Sequence, residues 1–169
     1  IIMGSTSDLP VMEKAAKVLN DFCIPFEINA LSAHRTPAEV ESFAKNAQKR
    51  GIEVIIAGAG MAAHLPGVIA AMTPIPVIGV PINASLDGMD ALLAIAQMPP
   101  GIPVATTAIN GAMNAGILAA QILAVGDNAL KAKIVDFKES LKKKIVDQTQ
   151  ILYSAICPIS LNGNFLQIS

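Results

Sequence analysis

Charged side chains are scarce in this chain of 169 residues, at 15% against about 25% in ordinary domains. Residues 51–130 contain neither lysine nor arginine, and hydrophobic residues make up 53% of the whole. A small monomer would cover so apolar a surface poorly, so the composition predicts burial against further copies of the same chain. The formal net charge is −1. This balance gives no reason to expect nucleic acid or an acidic membrane as a partner.

Cysteine and aromatic residues are also rare. Cys23 and Cys157 lie far apart in apolar surroundings, without the spacing of a metal site. We therefore expect buried thiols, a reducing compartment such as the cytoplasm, and no bound metal. Aromatic residues amount to 4%, with one tyrosine and no tryptophan, which disfavours a flavin-binding module that would stack its ring on aromatic side chains.

An uninterrupted apolar helix that could cross a membrane is not expected. The longest apolar stretch, residues 65–86, contains four prolines, and proline in a helix interior removes a hydrogen bond and breaks or kinks the helix. A span of roughly 20 apolar residues is therefore not available there. The sequence shows no signal peptide, although it opens on Ile1 within an apolar run.

Short apolar runs alternate with helical patterns at an interval of about 25 residues, as expected of repeated βα units. The runs alternate little between polar and apolar residues, which is typical of parallel strands covered on both faces. Strands are predicted near residues 1–3, 26–31, 54–57, 76–80 and 104–106. Helices are predicted near residues 9–22, 37–50, 62–71, 88–98, 112–125 and 127–150.

The length suits one domain, which we place at residues 1–150. Residues 151–169 are apolar and have no clear period, so they are predicted to form a C-terminal extension of unknown role. Thr36, with a proline after it and Glu39 three residues on, matches a helix-capping pattern. Asp8 stands before Pro10 in a similar way.

The chemically distinctive residues follow the predicted strands, where ligands of open parallel sheets bind. Residues 4–8 (GSTSD) place small hydroxyl side chains before a helix, which is typical of a phosphate or carboxylate site but also of an ordinary cap. Residues 32–37 (SAHRTP) contain His34, which can give and take a proton near neutral pH, and Arg35, a forked donor for an oxyanion. The alternative is an ordinary hydrogen bond from His34 and a surface ion pair from Arg35.

Residues 58–64 (GAGMAAH) follow the third predicted strand and formally match a dinucleotide fingerprint. We reject that interpretation because the motif does not follow the first strand and lacks the acidic residue expected about 20 residues later. The glycines would still allow a ligand to approach the backbone closely. His64 either contacts such a ligand or caps its own helix.

Together these loops resemble the signature loops of the N5-carboxyaminoimidazole ribonucleotide mutase family. The likeness covers residues 4–8, 32–37 and 57–67, extends to 97–106 and 114–116, and preserves the family's order and spacing over about residues 1–150. It implies a three-layer αβα sandwich of flavodoxin/Rossmann-like type and a homo-octamer without metal or organic cofactor. It also implies a ribonucleotide substrate whose carboxylate moves from N5 to C4 of an aminoimidazole ring, a step of de novo purine synthesis.

The same resemblance assigns roles to individual residues. His34 would be the general acid and base, while Ser5, Asp8 and Arg35 would hold the phosphate end of the ribonucleotide. The positions assigned to the pocket wall are Ser7, Ser32, Ala59, Gly60 and His64. The chain departs from the family pattern at Met61, where glycine is usual, and at residues 83–88, where the loop is slightly short.

Two other functions stay open. A carboxylase on the same fold would add free carbon dioxide to unsubstituted aminoimidazole ribonucleotide, but Arg35 with Thr36 and the run at residues 62–64 match the mutase branch. A flavodoxin-like or receiver-like nucleotide-binding module would belong to a different class. A receiver needs an acidic cluster after strand 1 and a lysine after strand 5, whereas this chain offers one aspartate and residues 107–110 (TAIN).

Overall fold

The computed structural model describes residues 1–156. The described chain divides into two units, the first Ile1–Lys131 and the second beginning at Ala132. The first unit contains a five-stranded parallel sheet in the order β2-β1-β3-β4-β5. Its strands are β1 (Ile2–Met3), β2 (Asn29–Ala30), β3 (Ile55–Gly60), β4 (Val77–Ile82) and β5 (Ala105–Thr106).

Helices follow each strand, and a long helix follows the last of them. They are α1 (Leu9–Asp21), α2 (Pro37–Ala47), α3 (Leu65–Ala70), α4 (Met89–Ala96), α5 (Ala112–Leu123) and α6 (Asn128–Ile156). Asp127 caps α6, because its Oδ1 accepts hydrogen bonds from the N–H groups of Ala129 and Leu130. This satisfies donors that have no partner within the helix.

Two hydrophobic cores cover the two faces of the sheet. Alternate residues along a strand point to opposite faces, so Ile55 and Ala57 pack with α2, α3 and α4, whereas Ile56 packs with α1 and α5. The same division separates Ile2 from Met3 in β1. The predicted sheet of about five parallel strands between two helical layers is confirmed, and the strand order is that of flavodoxin-like folds.

The structure corrects several predicted boundaries. β3 continues to Gly60 and β4 to Ile82, so Gly58 and Gly60, which the sequence placed in a loop after β3, lie in the strand itself. The absence of a side chain at Gly58 lets α1 pack closely, because an added Cβ would lie 2.4 Å from Sδ of Met12. β3 and β4 pair without a break from Ile55 opposite Val77 onward. α3 begins at Leu65 rather than near residue 62, because Met61 and Ala63 have positive φ angles that a helix cannot contain.

Two further expectations concern Cys23 and the C-terminal segment. Cys23 is exposed, contrary to the prediction of a buried thiol, because it occupies a left-handed turn at the end of α1 while the neighbouring Phe22 fills the core. Cys157 lies outside the described residues. α6 continues to Ile156, beyond the predicted helix end near residue 150, and the domain boundary at residue 150 stays a prediction. Within residues 1–156, no helix has the length and apolarity needed to cross a membrane.

The close packing of β4 against α4 leads to a stability prediction at Gly79. A Cβ there would lie 2.4 Å from Cγ2 of Ile95, which is 1% exposed and has no room to withdraw. Gly79→Ala should therefore lower the free energy of unfolding by ~1–3 kcal/mol, the usual effect of overpacking. Gly126→Ala is the control, because a Cβ at Gly126 meets nothing within 4 Å. Urea denaturation that gives both variants the same stability would contradict the packing argument.

Candidate active site

The loops after β1, β2 and β3 meet at one edge of the sheet. β1 lies between β2 and β3, with Met3 opposite both Ala30 and Gly58. Parallel strands all end at the same edge, and the place where the chain reverses its direction of winding is a common ligand site in open α/β sheets. The three loops singled out in the sequence therefore converge in the structure.

The first loop forms a short 3₁₀ turn, Thr6–Asp8, before α1. Ser5 caps this turn, since its Oγ accepts a hydrogen bond of 3.3 Å from the N–H of Ser7. The N–H of Asp8 donates to the carbonyl of Ser5 at 3.1 Å. Asp8 stands at the start of α1 as predicted, but its side chain makes no capping bond, because its carboxylate turns toward the loop and accepts from the Ser7 hydroxyl at 3.4 Å.

The Asp8 carboxyl lies half-buried in this loop. Burial raises its pKa above the ordinary value, because removing water disfavours the charged form. Hydrogen bonds from the Ser5 backbone and the Ser7 hydroxyl, together with the positive charge of Arg35, act in the opposite direction and partly offset the effect of burial. Burial thus favours the neutral form of the Asp8 carboxyl, whereas Ser5, Ser7 and Arg35 favour its charged form.

The second loop is closed by Thr36. Its Oγ1 accepts a hydrogen bond of 2.8 Å from the N–H of Ser32 and donates one of 3.1 Å to the carbonyl of Ser32. The predicted capping bond of Thr36 is absent, although α2 does begin where the pattern indicated, with Pro37 in its first turn. The hydroxyl instead holds the residues between Ser32 and Thr36 in a tight turn, which fixes the positions of His34 and Arg35.

Arg35 joins the second loop to the first. Its Nη2 donates to the carbonyl of Gly4 at 2.9 Å, and its own N–H donates to Oγ of Ser32 at 3.2 Å. The side chain is exposed, so a fork-shaped cation lies at the start of the first loop, which carries the hydroxyls of Ser5 and Ser7. Guanidinium and hydroxyl groups in this arrangement are typical of phosphate binding.

The third loop begins at the end of β3. Gly60 lies close to the β4 side, where an added Cβ would come within 2.9 Å of Cβ of Ala84. Met61 and Ala63 both have positive φ angles, 55° and 43°, so the chain turns sharply before α3. His64 occupies the first flanking position of that helix but makes no capping bond with its side chain.

Instead, His64 contacts His34. Nε2 of His34 and Nδ1 of His64 lie 2.7 Å apart, a hydrogen-bond distance, and the rings meet edge to face with centroids 4.8 Å apart. Both rings are exposed at the edge of the sheet. The two histidines follow strands that lie on opposite sides of β1, so their contact joins the second loop to the third.

The positions predicted from the sequence differ in how they face this edge. Seven of the nine positions take part in hydrogen bonds within or between the three loops: Ser5, Ser7, Asp8, Ser32, His34, Arg35 and His64. Gly60 ends the strand that leads to His64. Ala59 is different, since it is 7% exposed and its methyl group packs into the core beside Ala63. Only the backbone of Ala59 could therefore border a ligand at this edge.

Sequence reasoning did not anticipate the histidine pair or the turn closed by Thr36. The pair depends on the strand order, which places β2 and β3 on either side of β1, and periodicity alone does not reveal that order. The Thr36 turn had a signal in the sequence, since a hydroxyl four residues after Ser32 can bond back to its carbonyl. The same signal also fits a helix cap, which the pattern favoured.

Comparison with known proteins places the whole arrangement in one family. The family model described as AIR carboxylase matches residues 1–144. The chain belongs to the AIR carboxylase family. Two relatives named N5-carboxyaminoimidazole ribonucleotide mutase are 56% identical over 153 residues, from Thermotoga maritima, and 59% identical over 144 residues, from Pyrococcus abyssi. These matches cover 90% and 85% of this chain, and 90% and 83% of the respective relatives.

Other proteins similar to this chain carry a different name or are known as structures. Phosphoribosylaminoimidazole carboxylase of Saccharomyces cerevisiae is 54% identical over 90% of this chain, which spans 27% of that longer protein. The crystal structure of Treponema denticola PurE superposes with a TM-score of 0.76 at 28% identity. That match covers 92% of this chain and 96% of the other, which agrees with the three-layer fold described above.

The conformation of Met61 leads to a prediction within this site. Left-handed backbone is unfavourable for a residue with a Cβ by roughly 1–2 kcal/mol, whereas glycine adopts it freely but loses more entropy on folding. Met61 is 62% exposed, so removing its side chain should matter little in itself. Met61→Gly should therefore be more stable than Met61→Ala by about 0.5–1 kcal/mol in chemical denaturation. Equal stability of the two variants would contradict this prediction, because relief of strain would then only offset the entropy that glycine loses on folding.

Proposed function

We propose that this protein is an N5-carboxyaminoimidazole ribonucleotide mutase, an isomerase of de novo purine (IMP) biosynthesis. The observation that carries the proposal is the identity of 56% and 59% to relatives of that name over most of both chains. The site geometry supports it, because a histidine, an arginine and a hydroxyl-rich loop converge at the edge where this fold binds ligands. The reaction moves the carboxylate of the ribonucleotide from N5 to C4 of its imidazole ring.

His34 is proposed as the general acid and base of this reaction. As the bond between N5 and the carboxylate breaks, carbon dioxide leaves and N5 takes a proton from the His34 imidazolium. C4 then bonds to the same carbon dioxide, and its hydrogen returns to His34 as a proton. Atoms and charge balance without an external reagent, because the residue that gives a proton in the first step regains one in the second.

The remaining loop residues are proposed to bind and enclose the substrate. Ser5, Asp8 and Arg35 hold the phosphate end, where the guanidinium of Arg35 already spans the first two loops. The positions expected to line the rest of the pocket are Ser7, Ser32, the backbone of Ala59, Gly60 and His64. Small residues at the end of β3 leave room for carbon dioxide, and exclusion of water would keep it in place between the two steps. The reaction as proposed requires neither a metal nor an organic cofactor.

A carboxylase that uses free carbon dioxide is the second candidate. It is favoured by the name of the fungal relatives, phosphoribosylaminoimidazole carboxylase, which are 53–54% identical to this chain. This chain, however, spans 27–28% of those proteins, so the name describes a much larger polypeptide. A nucleotide-binding module without catalysis has no comparable support.

We propose that the enzyme acts as a cytoplasmic homo-octamer. α4 is apolar on its exposed side as well as its buried side: Met89 and Leu93 are 48% and 47% exposed, whereas Ala91 and Ile95 are buried. Apart from Asp90 in its first turn, α4 is hydrophobic on all sides, and such a helix is normally covered on all sides. Val125, after α5, is 88% exposed, and residues 88–125 contain no lysine or arginine. These surfaces would supply much of the contact between subunits.

The proton-carrier role of His34 is tested by substitution. His34→Asn should lower kcat by at least ~10²–10⁴-fold, the usual contribution of a positioned acid or base. KM and the melting temperature should change little, because the exposed ring contributes little to packing. The assay is turnover of N5-carboxyaminoimidazole ribonucleotide by purified protein. A parent protein without turnover would refute the proposed function, whereas near-full activity of the variant would remove only His34 from the mechanism.

The phosphate role of Arg35 calls for a separate comparison. Arg35→Ala should weaken ribonucleotide binding by roughly 1.5–3 kcal/mol, the scale of a hydrogen bond to a charged group. The dephosphorylated nucleoside should bind equally to the parent and the variant, which controls for disturbance of the loop. If the parent binds nucleoside as tightly as nucleotide by calorimetry, the phosphate contributes nothing to binding, and the assignment of Arg35 and the first loop to the phosphate is wrong.

The octamer is tested by size-exclusion chromatography with light scattering. The parent protein should have the mass of eight chains at micromolar concentration. Leu93→Glu should dissociate it, because a charge on the exposed side of α4 could not be buried without a partner. Lys14→Glu, at an exposed position of α1, is the control and should leave the mass unchanged. A stable monomer of the parent protein would contradict the assembly.

A further inference from the structure

The hydrogen bond between the two histidines limits the protonation states that the pair can adopt. The distance of 2.7 Å joins Nε2 of His34 to Nδ1 of His64, so one nitrogen carries the shared hydrogen and the other presents a lone pair. Either His34 donates through Nε2–H, or His64 donates through Nδ1–H. The positions of the heavy atoms fit both arrangements. The protonation states that His34 passes through during the reaction distinguish them.

The contact is built by the surrounding loops rather than imposed by burial. Both rings are exposed and lie 30 residues apart in sequence. His34 stands on the turn that Thr36 closes, and His64 precedes Leu65 and Pro66, which anchor the start of α3 in the core. Each ring is thus fixed by its own element, and the two elements meet over the end of β1.

Proton transfer from His34 favours one of the two arrangements. An imidazolium carries hydrogen on both nitrogens and can only donate. In the proposed reaction, His34 begins as the imidazolium, so its Nε2–H must donate to a lone pair on Nδ1 of His64. When His34 then releases a proton to the substrate, it keeps this hydrogen bond only if the proton leaves from Nδ1.

On this basis we infer that His64 is a positioning residue, whose Nδ1 accepts a hydrogen bond from Nε2–H of His34 and leaves Nδ1 of His34 as the nitrogen that exchanges protons with the substrate. The inference rests on the proposed function for the identity of that substrate. The same hydrogen bond then persists through both half-reactions, and it holds the imidazole in one orientation while its other nitrogen loses and regains a proton. In hydrolases with a catalytic triad, an aspartate orients the histidine in a comparable way.

Three variants of His64 separate this role from simple packing. Asparagine can place an acceptor oxygen near the position of Nδ1, glutamine places its amide near Nε2 instead, and phenylalanine keeps a ring without an acceptor. His64→Phe and His64→Gln should lower kcat by roughly 10–10²-fold with little change in KM, by analogy with the loss of a partner that orients a metal-binding histidine. His64→Asn should retain most of the activity. Equal activity of His64→Phe and the parent protein, or equal loss in all three variants, would overturn the inference.

A direct readout that does not depend on turnover is nitrogen NMR of protein labelled only in histidine. The chain contains two histidines, so four ring nitrogens report the pair. In the neutral state, His34 should carry hydrogen on Nε2 with a bare Nδ1, and Nδ1 of His64 should show an accepted hydrogen bond. His64→Phe should change the signals of His34 to a mixture of tautomers, while its circular dichroism and melting temperature stay those of the parent.

The two proposals fail in different ways. A bare Nε2 on His34, with hydrogen on Nδ1 of His64, would overturn the positioning role even in a protein with full mutase activity. The expected tautomers in a protein that does not convert N5-carboxyaminoimidazole ribonucleotide would refute the proposed function and leave the geometry of the pair intact. His34→Asn, labelled in the same way, assigns the remaining signals to His64.

Discussion

The site depends on the placement of β1 between β2 and β3. β1 is short and buried, and its two residues pair on one side with β2 and on the other with β3. Because all three strands are parallel, the loops that follow them share one edge and meet above the end of β1. The contact from Arg35 to Gly4 and the contact from His34 to His64 both follow from this arrangement. A different strand order would separate the two histidines.

Small side chains make that arrangement possible. An added Cβ at Gly58 would lie 2.4 Å from Sδ of Met12, and one at Gly116 would lie 3.0 Å from the carbonyl oxygen of Ala15. Both contacts bring α1 close to its neighbours, and α1 carries the first loop at its start. The glycines that allow α1 to pack closely therefore also help to set the position of the first loop, which is expected to bind phosphate.

Much of the fold could be predicted from the sequence, because the βα alternation and the continuous apolar strands have local causes. Boundaries were less certain where glycines occur: the glycines at 58 and 60 indicate a loop by composition, yet they lie in a paired strand. Among site residues, His34, Arg35 and His64 could be selected because each follows a predicted strand. Their mutual contacts could not, since these depend on strand order and on the turn closed by Thr36. Met61 is an intermediate case: the resemblance led us to expect glycine there, and its φ of 55° is a conformation that glycine adopts freely.

The most direct test of the proposed chemistry follows the transferred carbon. Substrate labelled in the carboxylate on N5 is mixed with excess enzyme and excess unlabelled bicarbonate, and the product of the first turnover is analysed. A mutase that keeps carbon dioxide within the site between the two steps predicts that the label is retained on C4. Loss of the label to solvent in the first turnover, with efficient use of aminoimidazole ribonucleotide plus bicarbonate, would contradict the account and indicate a carboxylase.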